Sequence, residues 1–155
     1  LTTASPSPGS RAARLARAGL FVLGLLWALP NTLLGLLLGL AGLPFGARFG
    51  VERAQRAVVV RQWPWGQGAL TLGNSIVHSG ADLRRRCRTY ADRAGEGAEP
   101  LVPLDAHERA HVYQAMVLGP LFLPVYLLAG GVSARNPFER AADRYAATGR
   151  GWWPR

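Results

Sequence analysis

Between Arg17 and Arg48 this chain carries no charged side chain, a gap of about 30 residues in a sequence of 155. A helix needs roughly 20 apolar residues to cross the hydrocarbon core of a bilayer, so the stretch is long enough to enter one. From Leu20 to Leu43 it is Leu, Gly, Ala, Phe, Val and Trp, interrupted by Pro30-Asn31-Thr32. Proline lacks an N–H and clashes with the preceding helical turn. Segment 18–47 is therefore expected to be either one kinked span or a re-entrant hairpin of two half-length helices. Arg11, Arg14 and Arg17 flank it on one side, and Arg48, Arg53, Arg56 and Arg61 on the other. Such flanks give no clean orientation by the positive-inside rule. They tilt the reading slightly toward a hairpin with both ends at the cytoplasmic face. A cleaved signal peptide is the competing reading, but its apolar core normally runs ~7–15 residues, shorter than this one. Gly35 and Gly39 have the GxxxG spacing that permits close helix packing in lipid, a weak pointer to a dimer.

The 18 basic residues are all Arg, against 9 acidic ones, for a formal charge of +9. A basic chain invites nucleic acid as a partner. Here no RNA- or DNA-binding motif accompanies the arginines, and none is expected to bind. Arg84, Arg85, Arg86 and Arg88, in the stretch Leu83 to Arg93, read either as a solvated helix face or as contacts to anionic lipid headgroups. Trp152 and Trp153 near the C-terminus have the aromatic-plus-cation character of a membrane-interface anchor. Membrane lipids are thus the first expected partner. One cysteine, Cys87, excludes an internal disulfide framework and any multi-cysteine zinc knuckle.

A second apolar stretch, 116–132, contains Pro120, Pro124 and Gly130-Gly131. It is expected to be a kinked span, a re-entrant piece or a segment packed on the first. Ala57 to Arg61 and Ala69 to His78, joined by the turn-forming Trp63–Gly68, read as one β-hairpin with a wide loop. His78, a lone histidine at a strand end, reads as structural. The expected architecture is an α-rich (α+β) membrane protein: a basic flexible arm over 1–17, a membrane segment over 18–47, and a folded region over 48–155 that includes 116–132.

His107-Glu108-Arg109-Ala110-His111 is an HExxH match. On a helix, histidines at i and i+4 project from one face, so both imidazoles can bind one Zn²⁺. The intervening Glu108 lies about 100° round from His107, placed to act as general base on the water that a catalytic zinc activates. Such a site needs a third protein ligand. Glu139 is the candidate, with Asp143 one turn later to accept a hydrogen bond from a ligating histidine. The helices are expected over Asp105 to Leu118, with Asp105 as N-cap, and over Pro137 to Thr148, with Asn136 as N-cap. Gln114, one turn beyond His111, is placed to hydrogen-bond a ligand, a substrate carbonyl or a neighbouring helix. The bland alternative gives both glutamates to helix starts, as members of capping boxes.

HExxH followed by a separate helix bearing Glu-x-x-x-Asp resembles the gluzincin clan of zinc metallopeptidases, the thermolysin-like architecture. The wider run, His107 to Gln114, then Leu118-Gly119-Pro120-Leu121-Phe122-Leu123-Pro124, then Asn136 to Glu139, also resembles a family of small uncharacterised bacterial membrane proteins. Leu29 to Leu36 looks like that family's N-terminal membrane segment. The likeness implies a bacterial inner-membrane protein with His107, His111 and Glu139 as zinc ligands, Glu108 as general base, Asp143 behind one histidine, and a peptide or protein substrate. Gluzincins usually place Asn directly before the ligand Glu, whereas Asn136 stands three residues earlier. Their oxyanion donor has no clear counterpart; Tyr113, Tyr126 and Tyr145 are the options. The rival expectation is a non-catalytic membrane scaffold, or a protein that holds its metal structurally.

Overall fold

The computed structural model describes residues 8–155, so residues 1–7 of the expected arm lie outside the described residues. The remainder of that arm, from Pro8 on, is helical. Helix α1 begins at Pro8 and runs to Trp27, followed after one residue by α2, Leu29–Gly42, and a 3-10 turn, Leu43–Phe45. The two helices pass together as one candidate membrane element, bent by 61°. Such a bend fits either a broken span or a re-entrant loop. A second candidate by length and composition is Leu104–Leu128.

The bend is where the apolar run is polar, and the polar groups have partners. Asn31 donates to Gly119 O at 2.9 Å, and the Thr32 hydroxyl donates to Ala28 O while accepting from Asn74 N at 2.9 Å. Trp27 Nε1 donates to Val117 O. Pro30-Asn31-Thr32 thus docks the bend onto the rest of the chain. The outward faces of both helices stay apolar and open, with Leu20 69% and Leu37 61% exposed.

The sheet corrects the expected hairpin. Strands β1 (Arg48–Glu52), β2 (Ala57–Arg61), β3 (Ala69–Leu72) and β4 (Ser75–His78) form one mixed sheet in the order β1-β2-β4-β3. Ala69 to His78 is itself a tight hairpin about Gly73-Asn74, and β4 pairs with β2 in parallel. Strand β1, which carries Arg48 and Glu52 at its two ends and reads in the sequence as a charged flank, closes the far edge against β2. Side chains alternate across the sheet. Val60 and Val77 face one side with Ala47 and Trp63; Val59 and Ile76 face the other with Leu104 and Val112.

Helix α2 covers the first side through its glycines. A Cβ on Gly35 would sit 2.7 Å from Ser75 Cβ, and one on Gly39 would sit 2.6 Å from Val60 Cγ2. The GxxxG spacing therefore serves a helix–sheet contact within the chain. Gly39→Val is expected to destabilise the fold by ~1–3 kcal/mol through overpacking, whereas Leu37→Val on the exposed face costs little. Thermal melts of the two variants in detergent check this; equal melting temperatures would refute it.

The other side of the sheet carries α4, Leu104–Leu118, with α6, Pro137–Thr148, packed behind it. The stretch 83–93 is not one helix: it holds the short strand β5 (Arg86–Cys87), paired with β6 (Val102–Pro103), and one turn, α3 (Tyr90–Arg93). The second apolar stretch kinks as its prolines require. α4 stops at Gly119, a 3-10 turn carries Pro120, and α5 spans Phe122–Leu128.

Candidate metal centre

Helix α4 starts one residue before Asp105, with Pro103 at the N-cap. Asp105 is not the cap; it accepts from Gln55 Nε2 at 3.1 Å. Helix α6 does start on Asn136, whose side chain accepts from Phe138 N, with Pro137 behind it. Neither glutamate is used for capping. Glu139, in the first turn of α6, crosses to α4.

His107 Nε2, His111 Nε2 and Glu139 Oε2 converge: the two nitrogens lie 3.1 Å apart, and the carboxylate oxygen is 3.0 and 3.2 Å from them. All three residues are buried and form a group able to hold a metal ion. The surroundings fix both imidazole tautomers. Asp143 Oδ1 is an acceptor 2.9 Å from His107 Nδ1, so that nitrogen donates. Gln114 Nε2 donates to Phe138 O and Trp152 O, which leaves its Oε1 to accept from His111 Nδ1 at 2.7 Å. Both Nε2 atoms are thereby left as lone pairs facing each other and a carboxylate. Three acceptors in mutual contact repel unless a cation sits among them. Their separations are close to the ~3.3 Å edge of a tetrahedron built on ~2.05 Å zinc bonds.

Two hydroxyls position the carboxylates. Tyr126 donates to Glu139 Oε1, turning Oε2 toward the histidines. Thr71, on edge strand β3, donates to Glu108 Oε2 at 2.6 Å. Glu108 is 4% exposed and makes no contact with the triad's ligand atoms through a hydrogen bond. It lines both a cavity of about 70 Å³ at the triad and a cleft of about 330 Å³ beside it. Tyr90 stacks on His107 at 5.9 Å between ring centroids, and its backbone N–H donates to Asp143 Oδ2 at 2.7 Å. Of the three tyrosines weighed as oxyanion donors, Tyr126 alone reaches the site, and its hydroxyl is engaged by Glu139. Tyr113 and Tyr145 pack on each other away from it.

Sequence reasoning missed Thr71, Tyr90 and the use made of Tyr126. A threonine facing α4 from β3 follows only from the strand's register, in which Thr71 pairs with the inward-facing Ile76. The arginines divide. Arg84, Arg85, Arg86 and Arg88 are all exposed, but Arg86 donates to Leu101 O, and Arg85 and Arg88 line the cleft, Arg88 paired with Asp92. Trp152 folds back on Tyr113 and Trp153 on Phe138, held by Arg144 donating to Gly151 O and Trp153 O. Burial pushes the Cys87 thiol up, which leaves it a poor nucleophile.

Without an ion, a proton on His107 is the rival occupant of the site. Burial opposes charge on His107, but hydrogen bonds to Asp143 and Glu139 outweigh it, and its pKa is pushed up to about 10. Burial would also raise the Glu139 carboxyl, yet the two histidines hold it well below the usual range. A raised histidine stabilises the fold below its unfolded value of 6.5, and the gain is lost as pH climbs toward 10. Metal must displace that proton. Between pH 7 and 9, zinc affinity is expected to rise about tenfold per pH unit with about one proton released per ion, measurable by titration calorimetry in buffers of different ionisation enthalpy. A pH-independent affinity would contradict this arrangement.

Comparison with protein-family models, with curated proteins and with solved structures finds no match to this chain. The residues of the site therefore carry the functional argument alone.

Proposed function

We propose that this chain is a membrane-associated, zinc-dependent metallopeptidase-like protein of a bacterial inner membrane. The observation that carries the reading is the mutual approach of two imidazole lone pairs and a carboxylate, with a separate buried glutamate lining the same cavity. Donors of this kind and number suit zinc with one position left over. Zinc held there would lower the pKa of a water and polarise a peptide carbonyl.

The chain's own residues supply the rest. Glu108, oriented by Thr71, takes a proton from the attacking water and delivers it to the departing amine nitrogen. Asp143 and Gln114 keep both histidines in the Nδ1–H form. Strand β3 is a sheet edge, and its residues Ala69 to Leu72 line the cavity at the triad. An extended peptide can pair with that edge through its main chain, which gives binding without strict sequence preference.

The membrane part rests on α1 and α2, whose outward leucines form an apolar surface too continuous for water. Arg84, Arg85, Arg86 and Arg88, with Trp152 and Trp153, are the proposed contacts to lipid headgroups, on the cytoplasmic face. The first test is the zinc content of detergent-purified protein together with hydrolysis of an unstructured protein substrate. About one zinc per chain and chelator-sensitive hydrolysis are expected. A folded chain that takes up no added zinc overturns the reading. One zinc without hydrolysis makes the metal structural.

A further inference from the structure

Two open grooves meet at Arg56, away from the metal centre. The first, of about 680 Å³, follows α1 from Arg17 to Trp27, with Tyr113 and Met116 of α4 and Trp152 as its other wall. The second, of about 580 Å³, has Phe21, Leu25 and Thr32 on one side and the β1–β2 turn on the other. Phe21 and Arg56 line both, so the grooves share a border there. Apart from its arginines the first groove is lined by apolar and aromatic side chains, and Leu20, Leu23 and Trp27 are at least half exposed.

The charges of the two grooves have one sign. Arg17 and Arg56 line the first, Arg53 and Arg56 the second. Among the described residues the first lining holds no carboxylate, and the second holds only Glu52, which Arg61 already engages. None of Arg17, Arg53 and Arg56 has an ion-pair partner among the described residues. The Arg56 guanidinium lies over the Phe21 and Tyr113 rings, 5.2 and 5.4 Å from their centres. Its backbone is left-handed, with φ 55°, a conformation that residues other than glycine seldom adopt. Asn74 Nδ2 secures that turn by donating to Arg56 O at 2.9 Å. The fold thus spends an unusual turn on holding a cation where two apolar grooves join.

We propose that the two grooves seat the two acyl chains of one anionic phospholipid, with its phosphate at Arg56 and with Arg17 and Arg53, one beside each groove, as the further cations. A guanidinium meets phosphate oxygens with paired N–H donors, and the ring contacts leave its edge free to do so. Three arginines without a free carboxylate favour a headgroup of net negative charge over a zwitterionic one. A second copy of the chain is the poorer occupant, because a two-fold interface would set these same arginines against each other. The inference rests on the membrane part of the proposed function and is independent of the metal.

The test is native mass spectrometry of the full chain in detergent, titrated with dioleoylphosphatidylglycerol or dioleoylphosphatidylcholine, which share their chains and differ in headgroup charge. One phosphatidylglycerol per chain is expected, bound roughly tenfold more tightly than phosphatidylcholine. Arg56→Gln and Arg17→Gln are each expected to weaken it by roughly fivefold and to leave phosphatidylcholine unchanged. Arg17 is exposed and off the strained turn, so its variant keeps the test decisive if Arg56→Gln fails to fold. Arg11→Gln, on the same helix but outside both linings, is expected to change nothing. Single-chain lysophosphatidylglycerol is expected to bind more weakly by roughly tenfold or more, since one groove stays empty. Equal binding of the two diacyl lipids, an Arg11→Gln loss as large as that of Arg17→Gln, undiminished binding of the lysolipid, or a lipid-free dimer overturns the proposal. Co-sedimentation with phosphatidylcholine vesicles reads the membrane assignment separately. A chain that sediments with them but shows no phosphatidylglycerol preference loses only the lipid site; one that does not sediment yet binds phosphatidylglycerol through Arg17 and Arg56 loses only the membrane assignment.

Discussion

His111→Ala and Glu139→Ala are each expected to reduce bound zinc from about one ion per chain to under a tenth, measured by metal analysis after dialysis. Each variant takes one of three donors from a site whose atoms are already within 3.0–3.2 Å of one another. The residual pair cannot surround an ion. Its neighbours do not substitute: Gln114 is committed to Phe138 O and Trp152 O, and Asp143 to His107 and Tyr90. Loss of the ion also removes its contribution to stability, which is RT ln(1 + [L]/Kd), or roughly 4 kcal/mol at a thousandfold excess over Kd. Both variants should therefore melt at the same temperature with and without zinc. Wild type should gain several degrees on zinc addition. Retention of full zinc by Glu139→Ala would remove Glu139 from the ligand set.

The helices of this site were readable from local signals, and the rest of the site was not. HExxH places its ligands by helical geometry alone, and Asn136-Pro137 starts α6 where a cap and a rigid first position demand it. Even there, Asp105 looked like a cap and is not, because the helix already starts at Leu104, and the Asp105 carboxylate accepts from Gln55 Nε2 and Ala106 N instead. The sheet escaped for a different reason. Its central pairing, β2 with β4 in parallel, joins strands that are not neighbours in sequence, and β1 is masked by charges that lie along an edge. Thr71, Tyr90 and Tyr126 reach the site because three other elements pack against α4 and α6. No spacing announces such contacts. The glycines of α2 announced close packing but not its partner. Only the fold shows that the partner is Val60 and Ser75 rather than a second helix.

Glu108→Gln is expected to lower peptide hydrolysis by ~10²–10⁴-fold, the usual contribution of a positioned acid–base group, while zinc content stays at about one per chain. The substitution keeps size and shape, and its amide oxygen can still accept from the Thr71 hydroxyl that holds Glu108 now. What it loses is the capacity to take a proton. Substrate binding should change little, so the loss should fall on kcat with KM nearly unaltered. Thr71→Val separates chemistry from positioning. It leaves the carboxylate in place but frees its orientation, and should cost less than Glu108→Gln while leaving zinc untouched. If Glu108→Gln retains the hydrolysis of wild type, the water is activated elsewhere. If it also loses zinc, Glu108 serves the metal rather than the proton, and the division of labour between His107, His111 and Glu139 on one side and Glu108 on the other does not hold.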